Sequence, residues 1–325
     1  MTSRYDALLL LSFGGPEGPE EVMPFLENVT RGRNIPRERL ARVAEHYQIF
    51  GGVSPINGHC RELQAALRGA LDIPVYWGNR HWHPFLADTL REMKADGIRN
   101  AAVFATSAYS GYSCCGQYRD DLDRAAAQVP GAPALHKLRV YYNHPSFAAF
   151  YVESTGEALA RLPVELRESA HLVFTAHSVP IAQPGRAAYE AELRDLAAVV
   201  AASAAPANPW ELVFQSRSGP PAQPWLEPDI GEHLERLRTQ GVQAAVAVPI
   251  GFVSDHMEVV YDLDTEAAKL AGEVGLVLER AATPGAHPLL VSLVADLLTE
   301  EAPATVGSLG PRLCSARTCP FDCRA

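Results

Sequence analysis

The sequence predicts an α/β protein of two similar Rossmann-like domains, each a parallel β-sheet flanked by helices, related by a pseudo-twofold axis. Three observations predict it. Short, wholly apolar runs ending in Gly, Ser or His alternate with amphipathic stretches, as in parallel sheets covered on both faces. The stretch LREMKADGIRNAAVFATSAYS (90–110) matches LERLRTQGVQAAVAVPIGFVS (234–254) without a gap. Two further matches keep the same order: VYWGNR (75–80) with LVFQSR (212–217), and more loosely LLLLSFGGP (8–16) with LVFTAHSVP (172–180).

The strands fall at 7–11, 75–77, 101–105, 172–175, 212–214 and 244–250, where the apolar runs lie. Helices are expected at 35–50, 61–71, 85–96, 187–202 and 230–240 between them. Gly97 and Gly241 close equivalent helices, where a left-handed C-terminal residue favours glycine. The domains are expected at 1–145 and 146–285. The stretch 286–325 holds a last helix (287–298) returning to the first domain and a cysteine-rich tail.

Composition narrows the function. With 325 residues, 47% hydrophobic and 20% charged, the chain is an ordinary globular protein rather than a disordered one. Its longest apolar runs, such as 244–252, are about half of a membrane span. The apolar stretch 7–11 is too short for a secretory signal and ends at Gly14-Gly15-Pro16, so a soluble, cytoplasmic protein is expected. Net charge is −10, with no basic stripe to displace counterions from nucleic acid. A local cluster of Arg31, Arg33, Arg37, Arg39 and Arg42 could hold a small anion or simply form a solvated helix face.

Ligands of open parallel sheets bind outside the C-terminal strand ends, so two facing sheets enclose a cleft there. The candidates are Phe13, Arg80, residues 107–118, His177, Arg217 and residues 254–258. His177 follows a buried strand, where an imidazole can ligate metal, act as base or merely satisfy the loop. In SDHMEVVYDLDTE, Ser254 or Asp255 can cap a helix on which Glu258, Asp262 and Glu266 recur every four residues. Like charges at that spacing oppose each other, so the row is either a solvated acidic face or a ladder for a divalent cation. The run FGGPEGPEEV is no phosphate loop: it lacks G-x-G-x-x-G spacing and a Walker lysine, and its prolines remove N–H donors. Aromatic residues (Phe13, Tyr47, Tyr109, Tyr112, Tyr118, Phe252) collect near the same cleft and suit a planar apolar ligand, although core packing explains most of them.

Six cysteines fall into three groups: Cys60, then Cys114 with Cys115, then Cys314, Cys319 and Cys323 in the last twelve residues. Such crowding suggests a metal or cluster more than disulfides in a reducing compartment. Three tail cysteines need a fourth ligand, which the 114–115 pair supplies; a zinc site, an iron–sulfur cluster or redox-active thiols all fit the count.

Together LLLLSFGGPEGPEEV, GGVSPI, YSCCGQYR, FTAHSVP, FQSRSG and PIGFVSDHMEVVYDLDTE resemble the ferrochelatase family over nearly the whole chain. The cysteine tail and the Phe of LSFGGP are similar to actinobacterial members, which act on coproporphyrin III. The resemblance implies a chelatase-like fold and insertion of Fe²⁺, the substrate metal, with release of two protons. It implies that His177 and Glu258 are the catalytic, metal-binding pair and that Asp262 and Glu266 form an inner acidic ladder. Ser54 and Tyr118 would hold the propionates, with Arg31 and Tyr47 as nearby anchors. Phe13 falls where other relatives carry an iron-ligating Tyr, a role Phe cannot fill. Cys115, Cys314, Cys319 and Cys323 resemble the ligands of a [2Fe–2S] cluster, with Cys114 competing for the first place. Partners would be coproporphyrin III and Fe²⁺, with contact to a downstream haem-pathway enzyme and a monomer sufficient for activity. Protoporphyrin IX as substrate, or a non-catalytic tetrapyrrole carrier or iron–sulfur sensor, are the alternatives.

Overall fold

The computed structural model describes residues 4–33, 35–219 and 222–311. Among these, the first half contributes the strands β1 (Ala7–Ser12), β2 (Val75–Asn79), β3 (Asn100–Ala105) and β4 (Ala134–Lys137). The second contributes β5 (His171–His177), β6 (Trp210–Gln215), β7 (Ala244–Val248) and β8 (Val277–Arg280). They form two parallel sheets of identical order, β2-β1-β3-β4 and β6-β5-β7-β8. The edge strands β4 and β8 are absent from the sequence reading. Their sequences, ALHK and VLER, mix polar with apolar residues and are partly exposed, which suits an edge and hides the strand signal.

In chain order the helices are α1 (Val22–Val29), α2 (Arg37–Ile49), α3 (Ile56–Ala70), α4 (Leu86–Ala95), α5 (Gln117–Ala127), α6 (Pro145–Arg161) and α7 (Arg186–Ala204). After them come α8 (Ile230–Thr239), α9 (Met257–Val259), α10 (Ala268–Val274) and α11 (Pro288–Thr299). Alternation along the strands sorts the core. Leu8, Leu10 and Phe104 join Leu172, Phe174 and Val246 in one large cluster shared by both sheets. Ala7, Leu9 and Leu11 turn the other way, against α4 and α5 through Leu90, Met93 and Leu122. Val173 and Val213 do the same against Leu234 and Leu237 of α8. The last helix, α11, packs on both α6 and α3. Just beyond it Glu300 receives two 2.8 Å hydrogen bonds from Arg139, each side chain mostly buried.

Strand register tests the internal repeat. Leu8 pairs with Ala102 and Val75, whereas Leu172 pairs with Val246 and Trp210. The gap-free match already equates Ala102 with Val246. Leu8 therefore equates with Leu172 and Phe13 with His177, as the looser alignment has it. The same register equates Val75 with Trp210 rather than Leu212, so the VYWGNR–LVFQSR match is two residues out of step. A slip of two preserves which side chains face inward, so hydrophobic pattern cannot detect it. In the corrected register His81 is the counterpart of Ser216.

Candidate active site

Three strand ends deliver the chemistry. His177 is the last residue of β5, and its Nδ1 lies 2.5 Å from the Ser178 carbonyl, an arrangement that leaves Nε2 toward the cleft. Tyr189 of α7 donates its hydroxyl to the His177 carbonyl at 3.1 Å and holds the backbone in place. Beyond β7, the loop to α9 is tied down by Tyr109 on the Ile250 carbonyl and Tyr151 on the Pro249 carbonyl, at 2.6 and 2.9 Å. That loop brings Glu258 to 3.4 Å from His177 Nε2.

The two groups set each other's charge. The Glu258 side chain is 52% exposed, and the hydrogen bond and charge of His177, with His256 behind, hold its carboxyl down at about 2 against the desolvation its neighbours impose. Burial would likewise depress His177, yet Glu258 raises it above the usual histidine range. The contact therefore favours the ionised form of Glu258 and the protonated form of His177 over what each would adopt alone.

Neither Ser254 nor Asp255 caps the acidic helix. His256 does, its Nδ1 accepting from the Glu258 N–H at 3.2 Å, while Asp255 is taken by Arg280 and Thr283. From Val260 to Ala267 the helix is π-helical, so a four-residue step falls short of a turn instead of overshooting it. Asp262 accepts from the Ser216 hydroxyl and from Gln215 Nε2. Its carboxyl is pushed up to about 7, first by burial and then by the like charges of Glu258 and Glu266, against those two hydrogen bonds. Glu266 is exposed. Among the described residues no three His, Cys, Asp or Glu side chains converge into a metal site of their own.

The first half supplies an aromatic wall. Phe13 stands 4.5 Å from the ring of His81 and 6.3 Å from Phe25, which meets Tyr47 at 6.1 Å and Trp82 at 6.0 Å. Phe25, Tyr47 and other side chains of α1 and α2 share an apolar cluster with Met257, which brings this wall to the residue beside Glu258. Tyr47 also feels that carboxylate: burial first, then the Glu258 charge, raise its hydroxyl pKa. Two more contacts join the halves here. His46 stacks on Tyr261 at 3.8 Å and 8°, and Arg39 donates to the Ser218 carbonyl.

The expected anchors divide by exposure. Arg31 is open to solvent, whereas Ser54, Tyr118 and Tyr47 are covered at 4%, 5% and 8% exposure. Tyr118 lies under the Arg80 guanidinium, 4.4 Å from its ring centre, and Arg80 is itself paired with Asp121. Ser54 packs so closely on Gly15 that a Cβ there would approach its own Cβ to 2.7 Å.

Cys114 and Cys115 sit on the π-helical turn Tyr112–Gly116, the first half-buried and the second buried. Cys314, Cys319 and Cys323 lie outside the described residues. Sequence reasoning missed His81, Ser216 and the His46–Tyr261 stack, while His256 fell within the candidate stretch 254–258 without a role of its own. His81 and Ser216 adjoin positions it named, and the two-residue slip concealed their correspondence. A hollow of about 250 Å³ between α6 and residues 282–287 is lined by none of these reactive groups, and their convergence rather than volume locates the site.

The ferrochelatase family pattern matches residues 5–302. A Mycolicibacterium smegmatis protein named coproporphyrin III ferrochelatase is 55% identical over 305 residues, 91% of this chain and 89% of its own. One of the same name from Streptomyces griseus is 52% identical, covering 97% and 93%. Among solved structures, SirB from Bacillus subtilis with Fe³⁺ superposes with a TM-score of 0.57 at 11% identity, covering 90% of this chain and 95% of its own. The siroheme-biosynthesis enzyme CbiX gives 0.52 at 15%, covering 91% and 99%; both likenesses concern the fold. The chain belongs to the ferrochelatase family.

Proposed function

We propose that the protein is a metal chelatase that inserts Fe²⁺ into coproporphyrin III and releases two protons. The observation that carries this is the His177–Glu258 pair, 3.4 Å apart at the strand ends of the second sheet. Relatives 50–55% identical over most of the chain bear the name coproporphyrin III ferrochelatase and support the substrate.

Insertion exchanges two pyrrole N–H protons for a metal that must shed its water. Glu258, held ionised by its neighbours, offers an acceptor and metal ligand, and His177 shares its proton. Asp262, poised near neutrality, takes a proton and returns it through exposed Glu266 to solvent. Phe13, Phe25 and Trp82 provide walls that hold the ring in position. Arg31 meets a propionate from the surface. The hydroxyls of Ser54, Tyr47 and Tyr118 are nearly covered, so contact with a propionate would require the side chains over them to move.

The tail cysteines with Cys115 would hold a [2Fe–2S] cluster, a redox-active group of iron and sulfide. The donor set fits. Segment 306–310 is fastened by Asn143, which donates to the Gly310 carbonyl at 2.7 Å, and by Asp195 of α7, which accepts the Ser308 N–H and hydroxyl at 2.7 Å each. One turn earlier on α7, Glu192 accepts Ser110 N–H and hydroxyl at the start of the Cys114–Cys115 turn. Helix α7 thus holds both Ser110, ahead of the Cys114–Cys115 turn, and Ser308, ahead of the cysteine tail. No helix among the described residues is long and apolar enough to cross a membrane, in keeping with a cytoplasmic site for this reaction.

Anaerobic Fe²⁺ insertion with coproporphyrin III and protoporphyrin IX in parallel, followed by the Soret band, tests the reading. Turnover favouring coproporphyrin supports it. Binding without metallation would make the protein a carrier.

A further inference from the structure

A metal at the centre of a flat macrocycle has two open faces, and His177 with Glu258 can serve only one. Strand register equates Phe13 with His177, so Phe13 marks the corresponding point of the other wall. Phe13 has no donor atom. Its neighbour does, and we propose that His81 is an axial ligand for the porphyrin-bound iron on the face opposite His177.

Four observations place His81 for this. Its N–H donates to the Phe13 carbonyl at 3.0 Å and its own carbonyl accepts from Asn28 at 2.6 Å, so the backbone is fixed from both sides. The two rings lie 4.5 Å apart. Its counterpart Ser216 reaches into the site from the other half and binds Asp262, so this position borders the cleft in both halves. Neither ring nitrogen of His81 has a hydrogen-bond partner among the described residues, although the residue is only half-buried. A ligating imidazole must also be neutral. Burial and the charge of Arg80, with Arg33 and Arg124 further off, outweigh Asp121 and lower its pKa to about 4.

This rests on the chelatase reading, and its test is kept separate by using premade iron coproporphyrin III in place of turnover. Wild type, His81→Ala, His81→Cys and His177→Ala are each loaded with it. The electronic spectrum is recorded, with the iron–imidazole stretch of the reduced complex by resonance Raman. Expected is an imidazole-ligated wild type whose signature disappears in His81→Ala, returns on adding imidazole, and gives way to a thiolate spectrum in His81→Cys. His177→Ala should keep it. A His81→Ala spectrum identical to wild type, or loss in His177→Ala alone, overturns the assignment. Loss of metal-free coproporphyrin binding by folded His81→Ala, read by fluorescence, overturns it as well, because His81 would then be a wall and not a ligand. Failure of the wild type to insert Fe²⁺, with these spectra as expected, would instead defeat the catalytic reading and leave the ligand assignment standing.

Discussion

Asp262→Asn isolates the proton path with almost no change of shape. The carboxyl of Asp262 is pushed from the usual 3.8 to about 7, so it changes charge within the working range. If insertion needs it ionised, the active fraction is roughly nine-tenths at pH 8 and one-tenth at pH 6, a loss of about tenfold across two units. Asparagine can still accept from Ser216 but cannot take a proton. The variant should lose the inflection near neutrality and run on the order of 10²-fold slower at pH 8, in line with removal of one acid–base group. Stability should move the other way. A carboxyl whose folded pKa is raised opposes folding increasingly from its unfolded pKa up to about 7, so Asp262→Asn should melt higher than wild type at pH 8. Anaerobic initial rates from pH 6 to 8, with melting curves at both ends, make the comparison. A wild-type rate flat with pH, or an inflection that survives in Asp262→Asn, would refute the relay.

Glu258→Gln should lower kcat about 10³-fold while coproporphyrin binding, read by fluorescence, barely changes; equal losses in both would make Glu258 a binding group. Cys115→Ser should abolish the visible cluster absorption and Cys114→Ser should not, iron and sulfide content being measured in parallel; equal behaviour of the two would remove the preference for Cys115. Arg139→Ala strands the mostly buried Glu300 carboxylate and should cost about 3–5 kcal/mol by denaturant titration; a change within error would mean that α11 is held by its apolar face alone. Gly15→Ala drives a methyl to 2.7 Å from Ser54 Cβ and 2.9 Å from Ile56, so overpacking of about 1–3 kcal/mol is expected, with weaker coproporphyrin binding through the displaced Ser54.

The central strands were legible because they are apolar on both faces, and Phe104, Phe174 and their neighbours are fully buried as that pattern requires. The edge strands β4 and β8 were not, since they have water on one side and carry polar residues, whereas the opposite edges β2 and β6 are largely buried and apolar and could be read. His177 and Glu258 could be found because each follows a buried strand at the rim to which ligands come. His256 escaped notice as a cap because the preference for Ser and Asp at that position favoured its neighbours, and pairing with Arg280 drew Asp255 away.

Sequence by itself determined the two parallel sheets, the repeat that relates them, and the residue types at the strand ends. These follow from local periodicity and from chemistry carried by single side chains. Tertiary structure alone decided the charges and the partners. Asp262 near neutrality and the neutral imidazole of His81 arise first from burial, and Glu258 is held at about 2, against burial, by His177 brought from a distant strand end. Register did too: a two-residue slip is silent in an alternating pattern, and only hydrogen bonding between strands sets His81 opposite the place of Ser216.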